Sequence, residues 1–250
     1  MKKKQEIIFG IHAVASLLDH NASSVMQLFV QADRRERNDK RLQGILGKAT
    51  KAGIPIQECS RAELDEKCPQ VHQGIMAISE ALKLERSQKE LAPFLDSLDK
   101  PPFLLIVDGV TDPHNLGACL RSAEAAGVSA VIVPKDKSVA LTPAVRKVAC
   151  GAAEIVPFFI VTNLSRTLQV LQQRGIWLFG AAGEAKQSLF DADLTGPVGI
   201  VLGSEGKGLR RLTRENCDSL VAIPMAGEVS SLNVSVSTGI CLFEAVRQRK

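Results

Sequence analysis

From residue 103 onward, short apolar runs alternate with stretches of helical period, and this alternation restricts the fold more than any other feature. The runs fall at 103–107, 130–133, 155–161, 176–180 and 198–202, with another at 220–223. Between them, 116–126, 143–150 and 164–174 have the composition and period of helices, and 233–247 is expected as a closing helix. A strand that is apolar throughout is covered on both faces, and helices between successive strands supply that cover. The expected class is therefore α/β, built on a parallel sheet. Ligands of such sheets bind at the loops leaving the carboxyl ends of the strands.

Residues 1–80 read as a smaller α/β unit, with helices at 11–18 and 40–52 and strands at 26–30, 54–58 and 74–79. After it the periodicity weakens, charges of both signs accumulate, and the stretch ends in Lys100-Pro101-Pro102. Pro-Pro excludes helix and disfavours a central strand, so 81–102 is expected as a linker and 103–250 as a second domain. No internal repeat is visible.

A chain of 250 residues, 45% hydrophobic and 23% charged, has the balance of a globular enzyme. The basic start Met1 to Lys4 leads into an apolar run that Gly10 breaks, and no run approaches the ~18 residues of a membrane span. A cytoplasmic protein without a membrane segment is expected. The six cysteines form no CxxC pair and no zinc spacing with histidine, so they read as reduced, small hydrophobic residues, and no metal is expected. A net charge of +4 favours an anionic partner. With no Tyr and one Trp, a surface of stacked aromatics is poorly supplied, and a nucleic acid would be held through Arg, Lys and backbone amides.

Three loops after apolar runs are dense in Gly, Ser, Asn and charge: 108–115, 203–209 and 224–233. In DGVTDPHNLGACLRSAEAAG, Asn115 is expected at the N-cap, with Arg121 nearly two turns further along the helix on the side facing the loop. A guanidinium so placed can clamp a phosphate, although a capping amide and a solvated arginine account equally for the pair. His114 is more simply a loop residue than a base. LGSEGKGL has neither the dinucleotide fingerprint nor a GK[ST] phosphate loop, which disfavours a nucleotide-dependent oxidoreductase. Its Glu205 can accept hydrogen bonds that order the turn or a substrate. Lys207, Arg210, Arg211 and Arg214 follow, as a solvated face or as contacts to RNA phosphate. In IPMAGEVSSLNVSVSTG, Ser231 and Asn233 flank Leu232 where the last helix begins, and helix capping explains either residue alone but not the whole loop.

The segments NLGACLRSAEAAG, IVLGSEGKGLRRLTRENCD and IPMAGEVSSLNVSVSTGICLFEAVRQ together resemble the three motifs of the SpoU-type RNA ribose methyltransferases of the SPOUT superfamily, in family order. IFGIHAVASLL and VHQGIMA resemble the small substrate-binding domain of the branch that methylates a 23S rRNA guanosine in the peptidyl-transferase loop. The resemblance implies a C-terminal trefoil knot, against the general rarity of knots, and an N-terminal domain like ribosomal protein L30e. It implies S-adenosylmethionine as cofactor, held by backbone around Gly203, Ile223 and Leu232. By the same carry-over, Asn115, Arg121, Glu205, Ser231 and Asn233 are the positions for catalysis and RNA contact. It implies 23S ribosomal RNA as partner and a homodimer. The alternatives are the same reaction on transfer RNA, or a non-catalytic RNA-binding or ribosome-assembly protein of the same fold.

Overall fold

The computed structural model describes residues 5–36, 39–69, 71–80 and 84–250. The basic start Met1 to Lys4 and residues 81–83 of the expected linker lie outside the described residues. The chain divides into two compact units, Met1–Leu84 with Leu141–Ile155, and Glu85–Ala140 with Val156–Lys250.

The first unit runs β1 (Gln5–Phe9), α1 (Ile11–Asn21), β2 (Val25–Gln31), α2 (Ala32–Glu36), α3 (Lys40–Lys51), β3 (Ile56–Cys59), α4 (Arg61–Lys67) and β4 (Ile75–Glu80). The sheet order is β1-β4-β2-β3, with β4 antiparallel to both neighbours and β2 parallel to β3. Side chains alternate across a strand, and the two faces bury different sets. Leu28, Val30, Ile75 and Ala77 pack with Val14, Leu17, Leu42 and Ile45, whereas Phe29 and Met76 pack with Phe9, Cys59, Leu64 and Cys68.

The second unit begins inside the expected linker. Glu85–Ser87 is β5, a strand paired in parallel with a later one, and Gln88–Asp96 is α5. The mixed charges that suggest a linker are the solvated side of this helix. Leu91 and Leu95, one turn apart, are buried, and a capping box starts the helix, with the Ser87 amide donating to Glu90 Oε2 at 2.8 Å. Next come β6 (Phe103–Asp108), α6 (Pro113–Ala125) and β7 (Ala130–Pro134).

The chain then supplies α7 (Pro143–Ala149) and α8 (Ala152–Ile155), which belong to the first unit rather than to the sheet of the second. Arg146, almost fully buried there, bonds Glu6 Oε2 at 2.7 Å and Glu154 Oε1 at 2.7 Å, and Ser16 Oγ donates to the Gly151 carbonyl at 3.2 Å.

The second unit resumes with β8 (Phe158–Val161), α9 (Leu164–Gln173), β9 (Trp177–Ala181), β10 (Gln187–Ser188), β11 (Val198–Gly203), α10 (Arg211–Glu215), β12 (Ser219–Ala222) and α11 (Val234–Gln248). Its eight strands, in the order β10-β12-β9-β11-β6-β7-β8-β5, are all parallel, as the apolar runs require. Every residue of β6 and β7 is buried. No described helix is long and apolar enough to cross a membrane, and all six cysteines are free thiols.

Candidate active site

The two central strands β6 and β11 end side by side, with Asp108 in register with Gly203. Asp108 is fully buried, and a buried carboxylate must be paired and hydrogen-bonded. Arg210 meets that need: its backbone amide donates to Oδ2 at 3.2 Å, its Nε to Oδ1 at 2.5 Å, and its Nη2 also contacts Oδ1. The chain between Gly203 and Arg210 must therefore fold back on itself. Ser204 and Gly208 form a bridge, closed by the Gly208 amide on the Ser204 carbonyl at 2.9 Å. A Cβ at Gly203 would stand 2.0 Å from the Gly208 carbonyl carbon, so no larger residue fits beneath the returning turn. Glu205 sits exposed at its crest.

Helix α6 starts differently from the expectation. Its N-cap is Asp112, whose carboxylate accepts from the amides of His114 at 3.3 Å and Asn115 at 3.1 Å, with Pro113 at the first helical position. Asp before Pro is a strong start signal, because proline lacks the amide that the first turn would leave unpaired. Asn115 is thus inside the helix, and its side chain is not spent on capping.

The cap of α11 is Asn233, whose Oδ1 accepts from the Ser235 amide at 2.8 Å and the Ser235 hydroxyl at 2.6 Å. Its other end carries the connection that joins the three loops. Asn233 Nδ2 donates to Asn115 Oδ1 at 3.0 Å and also to Glu205 Oε1. One amide thus ties together a residue from each motif. Beneath it α6 and α11 pack through a buried contact of Cys119 Sγ with Thr238 Oγ1 at 3.2 Å, and burial pushes the Cys119 thiol up to about 11.

Beside this junction lies a cleft of about 730 Å³. Its lining includes Gly203, Glu205, Ile223, Ser231, Leu232 and Asn233, together with apolar Leu202, Leu209, Val221 and Met225 and residues 181–184. Six of the eight residues singled out in the sequence therefore share one cleft, and Asn115 is bonded to its edge. Arg121 is not part of the lining. It is exposed on α6, six residues beyond Asn115. His114 is likewise exposed, with its backbone rather than its ring engaged in the cap. Of the basic cluster, Arg210 is consumed by Asp108, Arg214 pairs with Glu184 at the cleft lining, Arg211 pairs with Glu215 at 2.8 Å, and Lys207 is exposed in the turn.

Neither motif nor spacing singles out Asp108, Asp112, Ser235 or Thr238 in the sequence. Asp112-Pro113 carried a local signal. The others act through partners far along the chain or within a loop whose shape no spacing reveals.

A family model described as the SpoU rRNA Methylase family matches residues 102–243, and one described as RNA 2'-O ribose methyltransferase substrate binding matches residues 7–84. The chain is 58% identical over 249 residues to the 23S rRNA (guanosine-2'-O-)-methyltransferase RlmB of Shewanella oneidensis, covering 99% of both chains. It is 55% identical over 245 residues to the protein of that name from Pseudomonas putida, covering 98% of this chain and 97% of the other. Among solved structures, an RNA 2'-O ribose methyltransferase superposes with a TM-score of 0.80 at 29% identity, covering 99% of this chain and 90% of that one. The SpoU methyltransferase AviRb from Streptomyces viridochromogenes, in complex with AdoMet, shares the fold with a TM-score of 0.77 at 23% identity, covering 98% and 90%. With one family model spanning more than half of the chain and full-length relatives above half identity, this chain belongs to the SpoU rRNA methylase family.

Proposed function

We propose that the chain transfers a methyl group from S-adenosylmethionine to the ribose 2′-hydroxyl of a guanosine in the peptidyl-transferase loop of 23S rRNA. The observation that carries this reading is the Asn115–Asn233–Glu205 junction at the edge of the cleft, in a chain whose full-length relatives bear the name of that reaction. The cleft suits the cofactor in size and chemistry: about 730 Å³ lies within the range of small-molecule sites, and its walls join apolar residues to Ser, Glu and Asn. Gly203, Ile223 and Leu232 would hold it through backbone groups. When bound, the cofactor supplies an electrophilic methyl on a sulfonium.

The residues of this chain then have two tasks: to hold the ribose oxygen in line and to manage its proton. Glu205 and Asn115, fixed by Asn233, present acceptor groups at the cleft edge, and Ser231 adds a hydroxyl on the same lining. Arg121 orients the phosphate next to the reacting ribose and stabilises the alkoxide that develops as the proton leaves. A guanidinium is a poor base in water, so electrostatic stabilisation is the more economical role.

Three further elements belong to this reading. The chain beyond β11, which passes through α10, β12 and the 223–233 loop before α11, is read as a trefoil knot, supported by the out-of-sequence strand order. The first unit, read as an L30e-like domain, is a second grip on RNA, supported by the match at residues 7–84. A homodimer forms through α11, where Val236 and Phe243, seven residues apart on one face, are each 49% exposed. An rRNA substrate puts the reaction in the cytoplasm.

The test is incubation with methyl-tritiated S-adenosylmethionine and unmodified 23S rRNA or transfer RNA, followed by alkaline hydrolysis. A ribose without its free 2′-hydroxyl resists alkaline cleavage, so label in an alkali-resistant dinucleotide containing guanosine is expected from 23S rRNA. Label from transfer RNA alone, or no label, overturns the assignment.

A further inference from the structure

A second cavity, of about 420 Å³, opens at the carboxyl ends of β7 and β8, on the same rim of the sheet as the junction. Its wall mixes Thr162, Asn163 and Ser165 from the β8–α9 connection and Arg210 and Arg211 with apolar Pro134, Leu164 and Leu212. A single segment separates it from the first cleft: residues 203–209 line the one and 210–213 the other. Arg210 is turned onto Asp108 and holds this partition in place. Arg211 behaves differently. Its side chain is 77% exposed, and its partner Glu215, one turn along α10, forms the kind of surface pair that contributes little and yields to a stronger anion.

The loop after β7 adds two cations and one carboxylate. Lys135 and Lys137, both exposed, flank Asp136 of the cavity wall. Gly109 lies between this loop and the turn that carries Glu205: a Cβ on it would lie 3.8 Å from the Lys137 carbonyl oxygen and 3.9 Å from Ser204 Cβ. The cavity is thus next door to the place where the reacting ribose is held.

We propose that this second cavity takes a backbone phosphodiester of the substrate RNA beside the methylated nucleotide, bound by the Arg211 fork with the hydroxyl and amide donors of Ser165 and Asn163 and with Lys135 nearby. The inference rests on the RNA methyltransferase reading and adds a strand path to it. A guanidinium matches phosphate through two parallel hydrogen bonds, and a hydroxyl adds a single one to the anionic oxygen. Contacts of this class set register and carry no base information. The cavity therefore fixes where along the strand the ribose is presented, and leaves the choice of base to other groups.

The test uses the full chain, unmodified 23S rRNA transcript, and the variants Arg211→Glu, Lys135→Glu and Arg211→Lys. Methylation is followed at several salt concentrations, and S-adenosylhomocysteine binding is measured by calorimetry. Expected for each Glu variant is a KM for RNA raised about tenfold, with kcat and S-adenosylhomocysteine affinity unchanged. The slope of log affinity against log salt should become shallower by about one, as for the loss of one phosphate contact. Arg211→Lys should fall between wild type and Arg211→Glu, because it keeps the charge and loses the fork. An unchanged KM and slope in both Glu variants, with wild type active on the same RNA, overturns the proposal. If wild type leaves the transcript unmethylated, the enzymatic reading fails first, and equal RNA affinity of wild type and Glu variants then overturns this one as well. Inorganic phosphate supplies the remaining arm. Phosphate binding that Arg211→Glu abolishes, while the KM for RNA stays unchanged, would mark a free small-anion site and overturn the RNA assignment.

Discussion

The Asn233 side-chain amide donates at once to Glu205 and to Asn115, at 3.0 Å for the latter, while the carbonyl end of the same group caps α11. Capping and bridging are thus done by opposite ends of one side chain, and chemistry can separate them. Asn233→Asp keeps an oxygen for the Ser235 amide, and Asp is as good an N-cap as Asn. It replaces the donor with a carboxylate set against Glu205, so the junction opens. The melting temperature should stay within a few degrees of wild type, whereas turnover should fall about 10²-fold, the scale of a misplacement of about 1 Å in a reacting geometry. Turnover equal to wild type would show that the bridge has no part in catalysis.

Arg121→Ala tests the residue that the junction does not include. Arg121 is exposed, so little stability should be lost, and calorimetric affinity for S-adenosylhomocysteine should match wild type because the cleft lining does not contain it. Turnover should drop roughly 10²-fold or more, as for a lost charge-stabilising donor. Arg121→Lys should be impaired too, since an ammonium cannot reproduce the planar fork. Full activity in the Ala variant removes Arg121 from the mechanism.

These two residues also mark what the sequence conveys and what it hides. Strands buried on both faces announce themselves as unbroken apolar runs, which is why the parallel sheet and its carboxyl-end loops were readable. The periodicity gives no helix at α2, α4, α5, α8 or α10, although α4 and α5 each carry a local signal, the S-x-x-E boxes at Ser60–Glu63 and Ser87–Glu90. Both are short and highly charged, so composition masked the caps. The junction is of another kind. Asn233 and Asn115 are 118 residues apart, and no periodicity specifies which amides meet after a sheet has brought the loops together. Motif resemblance grouped them, and the geometry supplied the bonds. Residues 141–155 were equally opaque: their helical period was clear, but their packing with the first unit depends on Arg146 finding Glu6 and Glu154.

That last contact gives a stability prediction. Glu154 has a fully buried side chain, and burial pushes its carboxyl up even though Arg146 pulls it down. Arg146→Met removes the partner and leaves the carboxylate buried, a change that costs about 3–5 kcal/mol. Denaturant unfolding of this variant should show the loss in the first unit, and the double change with Glu154→Leu should recover much of it, because two apolar groups leave less charge to compensate. A single variant as stable as wild type would mean that the pair is solvated in solution.

Burial also raises the thiols of Cys119 to about 11 and of Cys217 and Cys241 to about 12. At pH 8 the thiolate fraction at each is about 10⁻³ or less, so native protein should resist iodoacetamide at these three positions and lose that resistance in urea. The pH dependence follows from the same shifts. A thiol whose folded pKa is raised contributes its stability in full below the unfolded value near 8.5, and loses it as pH rises from there toward 11–12. Unfolding free energy should therefore decline above about pH 8.5. Rapid native labelling of Cys241 at pH 8 would contradict its burial.

The dimer proposal rests on α11 having two apolar faces. Val234, Thr238, Cys241, Leu242 and Ala245 are buried within the second unit, so Leu242 is not available to a partner. Val236, Ile240 and Phe243 lie at i, i+4 and i+7 on another face, where Val236 and Phe243 are each 49% exposed. A helix with one buried face and a second apolar stripe is what an isologous contact between two copies requires. Phe243→Asp places a charge at the exposed aromatic end of that stripe without touching the core. Sedimentation at micromolar concentration should give twice the chain mass for wild type and the single mass for this variant. If each site draws RNA-binding groups from its neighbour, activity per chain should fall with dimer content, both in the variant and on dilution of wild type. Wild type that sediments as a monomer, or a monomeric variant with full activity per chain, refutes the shared site and leaves the chemistry at Asn115, Glu205 and Asn233 to a single chain.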